Sequence, residues 1–202
     1  MVTNEFDALT LVLSSAYRCQ EDANGMVSLE ETVQGLPPQI VSLKLANKGV
    51  DGFALYRLED RGPNLFQPFF NHNNEDKGEE RKSPKYLVSM CDYMAVCSFN
   101  EKTFVFLFEL KRGTPVHYQK QLDAGECFLN YIYDSIDRIK GYDGIEFDRN
   151  AIHIKKFQVK KIKSNKQVIQ PASPVSGNGS YFKVETNNEL RLLGLLNDSG
   201  HK

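Results

Sequence analysis

The sequence predicts a mixed α+β fold, an α/β architecture in which a central mixed sheet carries one long helix packed across it. Three observations predict it. Phe104-Val-Phe-Leu-Phe108 is an unbroken apolar run, as expected of a strand covered on both faces. Leu122, Phe128, Leu129, Ile132, Ile136 and Ile139 recur at helical spacing along a single stripe. Around these two elements lie β-rich segments, Tyr86 to Ser98 and Ile152 to Ile162.

Taken in chain order, Phe6 to Tyr17 fits a short helix through Phe6, Leu9, Leu13 and Ala16, and fits a strand equally well through Leu9, Leu11 and Leu13. Gln34-Gly-Leu-Pro-Pro38 breaks any helix there. Ile40 to Leu45 and Phe53 to Leu58 read as two strands joined through Asn47-Lys48-Gly49 and Asp51-Gly52. Asn71 to Pro84 is polar and charged, an expected exposed loop. Tyr86 to Ser98 and Phe104 to Lys111 flank a turn at Asn100-Glu101. Thr114 and Pro115 supply the N-cap and first position of the long helix, and Gly141 ends it. Ile152 to Ile162 is a further strand, or a pair, with a basic face. Residues 170–180, rich in Pro, Ser and Gly, form an expected flexible loop, and Leu190 to Leu196 an apolar closing helix.

At 202 residues the chain suits a single domain, with residues 1–39 a candidate N-terminal extension. Its 41% hydrophobic and 25% charged residues are ordinary for a soluble globular protein. No apolar run approaches the roughly 20 residues of a membrane span, and Met1 to Phe6 lacks the basic start of a secretory signal. Cys19, Cys91, Cys97 and Cys127 show no CxxC spacing, so reduced thiols and a cytoplasmic location are expected. His72, His117, His153 and His201 are too scattered to suggest zinc. A GxxxxGK[ST] motor signature is absent from the sequence.

The near-neutral net charge of −1 conceals a local bias. Between Arg149 and Val184 stand Arg149, Lys155, Lys156, Lys160, Lys161, Lys163, Lys166 and Lys183, with no acid among them, for a local charge of +8. Such a stretch suggests a surface facing a polyanion. A lysine-rich, solvated strand face is the plainer alternative.

The chemistry concentrates where the core strand ends. Residues i and i+2 share a face, so Glu109 and Lys111 emerge together. If the flanking strands form a hairpin centred on Asn100-Glu101, paired residue numbers sum to 201 and Asp92 faces Glu109, with Cβ atoms about 4.5–5.5 Å apart. Two converging carboxylates beside a lysine can hold Mg²⁺ or Mn²⁺ through oxygen ligands, which would lower the pKa of a bound water and stabilise charge on a phosphate. A rim ion pair of Glu109 and Lys111, or a bulge-capping Asp92, would be the structural explanations of the same residues.

Asp92, then Glu109-Leu110-Lys111 closing the next strand, then a helix bearing Gln121, resembles the PD-(D/E)XK nuclease superfamily, with Cys91 in place of the Pro of the motif. The resemblance spans roughly Tyr86 to Lys140 and implies a restriction-endonuclease-like core in the order αβββαβ. It further implies metal ligation by Asp92 and Glu109, a water- or phosphate-positioning role for Lys111, and support from Gln121, with Gln119 and Tyr118 nearby. An additional upstream acid could be Glu30, Glu31 or Glu59. The implied function is Mg²⁺- or Mn²⁺-dependent hydrolysis of DNA, less readily RNA, with Lys155, Lys156, Lys160 and Lys161 tracking the backbone. It could act with a protein partner or as a homo-oligomer, in a defence or nucleic-acid-processing complex. The alternative is a catalytically inactive interaction subunit of the same fold.

Overall fold

A computed structural model describes residues 4–31, 39–44, 50–58, 90–111, 118–139, 146–162, 168–172, 180–186 and 189–197. The elements are α1 (Glu5–Val12), β1 (Met26–Glu31), β2 (Gln39–Lys44), β3 (Gly52–Arg57), β4 (Tyr93–Phe99), β5 (Lys102–Lys111), α2 (Tyr118–Ile139), β6 (Ile152–Lys161), β7 (Val168–Ala172), β8 (Ser180–Thr186), β9 (Glu189–Arg191) and α3 (Leu192–Asn197). Six strands form a mixed sheet in the order β3-β4-β5-β6-β8-β7, and three form a smaller sheet in the order β1-β2-β9.

The large sheet begins as an antiparallel meander of β3, β4 and β5. Through α2 the chain then returns to lay β6 parallel to β5, and β8 parallel to β6. Every β4–β5 pair, from Tyr93↔Phe108 to Phe99↔Lys102, sums to 201, the register expected from the Asn100-Glu101 turn. Both turn residues take positive φ, 48° and 62°, the twist that suits a two-residue hairpin.

Each face of the sheet has its own core. On one, Ala54, Met94, Val96, Val105 and Leu107 pack beneath Ala8 and Leu9 of α1 and Leu122, Leu129, Ile132 and Ile136 of α2. On the other, Tyr93, Phe104, Phe106, Phe108, Phe157 and Phe182 meet Val27 and Leu29 of β1, Leu190 of β9, and Leu192, Leu195 and Leu196 of α3. Residues 104–108 are thus buried on both sides, as their continuous apolar run requires. The large sheet is tied to the small one by Tyr93 of β4, whose hydroxyl donates to Glu30 O at 3.1 Å and accepts from Glu30 N at 2.8 Å.

The stripe of α2 seats as expected, with Phe128 and Ile139 half-buried at its margins. Its approach to the sheet is set by Gly125, where an added Cβ would lie 2.4 Å from Cys91 Sγ. The first element resolves as a helix, capped by Asn4, whose side chain accepts Asp7 N at 2.8 Å. Leu11, which a strand would have buried with Leu9, is 62% exposed.

Several expectations are corrected. The two strands expected at Ile40 to Leu45 and Phe53 to Leu58 correspond to β2 (Gln39–Lys44) and β3 (Gly52–Arg57), but β2 joins the small sheet and β3 the large one, so they are not partners. Within the candidate N-terminal extension, α1 contributes Ala8 and Leu9 to one core and β1 contributes Val27 and Leu29 to the other. Residues 168–172 form strand β7, paired with β8, so the start of the expected loop at 170–180 is ladder. Ile152 to Lys161 is one strand. The Asn71–Pro84 loop, the Thr114-Pro115 start and the Gly141 stop lie outside the described residues.

Candidate active site

Alternation along β5 places Phe108 and Leu110 in the core shared with the small sheet, so Glu109 emerges on the face covered by α2. Its carboxylate is wholly buried. Asp92 immediately precedes β4 and is 4% exposed. Backbone pairing reaches it, since Leu58 N donates to Asp92 O at 2.9 Å, and the 201 register extended by one residue sets it opposite Glu109. Asp92 Oδ2 accepts a 2.6 Å hydrogen bond from Leu110 N, the central amide of Glu109-Leu110-Lys111. The two parts of the candidate motif are therefore bonded directly. Lys111 is the last residue of β5 and pairs with Lys160 of β6.

Gln121 sits half-buried at the edge of the α2 stripe. Gln119 is buried and donates through Nε2 to Tyr118 Oη at 3.3 Å. Among the upstream acids, Glu30 lies on β1, across the large sheet from the helix-covered face, and does not join Asp92 and Glu109. Glu59 and His117 fall outside the described residues.

The basic segment is the largest correction. Lys155 alternates onto the small-sheet face, where it is buried; its Nζ stands 5.1 Å from the Phe104 ring centroid and donates to Leu195 O and Leu196 O at 3.5 and 3.4 Å. It thereby caps the last turn of α3, and burial pulls its pKa down to about 8. Lys156 points to the opposite face and is 1% exposed. Its Nζ lies 2.7 Å from Asp123 Oδ1, 2.5 Å from Glu126 Oε2 and 3.0 Å from Tyr181 Oη, and Tyr181 also donates to Asp123. Burial pushes this ammonium down, but its hydrogen bonds to Asp123, Glu126 and Tyr181 outweigh that and hold it above the ordinary lysine range. Arg149 is likewise engaged, pairing with Asp134 at 2.7 Å and with Asp137. Lys155 and Lys156 are therefore structural groups, not an exposed phosphate track. Lys160 is half-buried and Lys161 exposed.

Sequence reading missed Gln158. It pairs with Glu109 across the parallel β5–β6 ladder and is 5% exposed, and its Oε1 has no hydrogen-bond partner among the described residues. A polar residue between Phe157 and Val159, in step with Lys156, was the available signal. Among the described residues no group of three or more His, Cys, Asp and Glu stands ready to hold a metal ion, and no helix is long and apolar enough to cross a membrane. Cys19, Cys91, Cys97 and Cys127 form no disulfide.

Compared with protein-family profiles, curated proteins and solved structures, the chain gives no significant match to any of them.

Proposed function

We propose that this chain is a metal-dependent nuclease that hydrolyses phosphodiester bonds, in DNA before RNA. The observation that carries the reading is the hydrogen bond from Leu110 N to Asp92 Oδ2, which ties a buried carboxylate to the middle of Glu109-Leu110-Lys111. The element order of the large sheet supports it: with β1 and β2 set apart in the small sheet, α1, the antiparallel β3, β4 and β5, then α2, then β6 parallel to β5 follow the order αβββαβ. The donor chemistry also fits Mg²⁺ or Mn²⁺, because Asp92 and Glu109 offer hard oxygen donors and one further buried amide oxygen, that of Gln158, paired with Glu109 across the ladder, stands without a donor.

In this reading Asp92 and Glu109 hold the cation, which when bound lowers the pKa of its water and offsets charge on the phosphate. Lys111 orients water or phosphate, Gln121 supports the substrate from α2, and the exposed Lys161 with Lys160 contacts backbone phosphates. Lys155 and Lys156 leave that set because their ammonium groups are committed inside the fold.

The test is cleavage of supercoiled plasmid and labelled oligonucleotides by the purified chain with Mg²⁺ or Mn²⁺. Cleavage that Asp92→Asn and Glu109→Gln each abolish is the expected result. A folded wild type that never cleaves, alone or with its natural partner, defeats the proposal and leaves the interaction-subunit reading in its place.

A further inference from the structure

We infer that Gln158 is the third oxygen ligand of the cation site, completing Asp92 and Glu109; this rests on the metal-dependent reading of those two carboxylates. Glu109 and Gln158 are paired residues of adjacent parallel strands, which run about 4.8 Å apart. Phe108 and Leu110 on one strand, and Phe157 and Val159 on the other, belong to the opposite core. Both polar side chains therefore leave the sheet on the α2 side, next to one another.

Gln158 is 5% exposed and its Oε1 has no hydrogen-bond partner among the described residues. Buried amide oxygens are almost always bonded, and leaving one without a donor is costly. A carboxylate and an amide oxygen held side by side jointly attract a cation. The amide is also the right third donor in charge: Asp92 and Glu109 already match a divalent ion, so a neutral oxygen raises the ligand number without adding repulsion among ligands. Three oxygen donors from β5, β6 and the start of β4 then line one rim of the sheet, with only two of them acidic.

The experiment titrates Mn²⁺ alone, by calorimetry and by electron paramagnetic resonance, into wild type, Asp92→Asn, Gln158→Leu and Gln158→Glu, with cation-free melting temperatures recorded for each. Gln158→Leu is expected to weaken Mn²⁺ binding by about tenfold or more and to raise the cation-free melting temperature, because an apolar side chain of similar size replaces an amide whose buried oxygen has no donor. Gln158→Glu is expected to bind Mn²⁺ at least as tightly as wild type. If Gln158→Leu binds like wild type while Asp92→Asn does not bind, the Gln158 assignment falls and the Asp92–Glu109 site stands. If wild type itself binds no Mn²⁺, both fall. Should Gln158→Leu fail to fold, Gln158→Glu decides. Loss of both Mn²⁺ binding and cation-free stability in that variant would show the amide serving as a structural donor to Glu109, and would overturn the assignment.

Discussion

Asp92 and Leu110 are joined by a 2.6 Å hydrogen bond in which a buried carboxylate oxygen accepts the backbone amide between Glu109 and Lys111. The bond fixes where the β4 and β5 ends meet and orients the remaining oxygen of Asp92 by the same stroke. A carboxylate here thus has both a structural and a proposed chemical role, and substitutions can separate them.

Asp92→Asn retains an oxygen that can accept Leu110 N, so its melting temperature without metal should stay close to wild type. Asp92→Leu leaves that amide buried and unpaired and should cost about 1–3 kcal/mol. Mn²⁺ should stabilise wild type by binding the native state and leave Asp92→Asn unmoved. Thermal denaturation with and without Mn²⁺ reads both effects, and an equal Mn²⁺ shift in wild type and Asp92→Asn would remove Asp92 from the site.

Lys111→Ala keeps both carboxylates, so Mn²⁺ binding should persist. Cleavage should drop by about 10²–10⁴, the range typical of a lost acid–base or positioning group. Single-turnover rates on a labelled duplex provide the measurement. Unchanged rates would leave a nuclease whose motif is not Glu109-Leu110-Lys111.

Gly125→Ala drives a methyl toward Cys91 Sγ, 2.4 Å from the new carbon. Overpacking of this kind costs about 1–3 kcal/mol, and only about 1 kcal/mol returns as helix propensity. Cys91→Ala removes the sulfur and should restore much of the loss, so urea unfolding of the two single variants and the double variant should show strong favourable coupling. Additive effects would mean that α2 simply shifts away from the sheet.

Lys155 sets a pH dependence. Its folded pKa, about 8, lies below the ordinary 10.5. Below about pH 8 both states hold the proton and the burial penalty is fully present. As pH rises from about 8 toward 10.5, the unfolded chain binds more protons than the folded one, so stability increases. At about 1.4 kcal/mol per pH unit the gain by pH 10 is on the order of 2 kcal/mol, and Lys155→Met should lack it. Parallel profiles for wild type and variant would show that the ammonium stays charged in the fold.

Lys156→Met strands Asp123 and Glu126 beside a buried apolar chain. The loss should be about 2–3 kcal/mol, below the range for fully buried pairs, because those carboxylates keep 32% and 27% of their side-chain exposure. DNA affinity should fall no more than this instability explains, whereas neutralising Lys160 and Lys161 should lower affinity across all sequences and flatten its salt dependence. Salt titrations of duplex binding distinguish the two pairs of lysines.

Much of the scaffold was legible in the sequence. The apolar run at 104–108 announced a strand covered on both faces, the stripe from Leu122 to Ile139 announced the helix that covers one of them, and a hairpin centred on Asn100-Glu101 offered the register that the β4–β5 pairing has. These signals are local: a side-chain period of 2 or 3.6 states which residues must leave water, whatever they meet afterwards. The strand β1 escaped notice because six residues with only modest alternation mean little until a partner sheet is supplied. The early helix remained open because Phe6, Leu9, Leu13 and Ala16 fit a helix while Leu9, Leu11 and Leu13 fit a strand, and the packing of Ala8 and Leu9 settled it.

By itself, then, the sequence determined the apolar faces of β5 and α2 and the acid and lysine at the end of β5, and it offered a hairpin register that the β4–β5 pairing bears out. Only the tertiary structure decided what the charges do. Arg149, Lys155 and Lys156 form part of a stretch that is purely basic along the chain, yet Asp123, Glu126, Asp134 and Asp137 of α2 fold back against two of them, and the C-terminal carbonyls of α3 receive the third. Gln158 likewise became notable only when the β5–β6 crossover set it beside Glu109. Burial follows from the periodicity of neighbouring residues, whereas the electrostatic fate of a charge depends on partners delivered from distant segments, which no local pattern encodes.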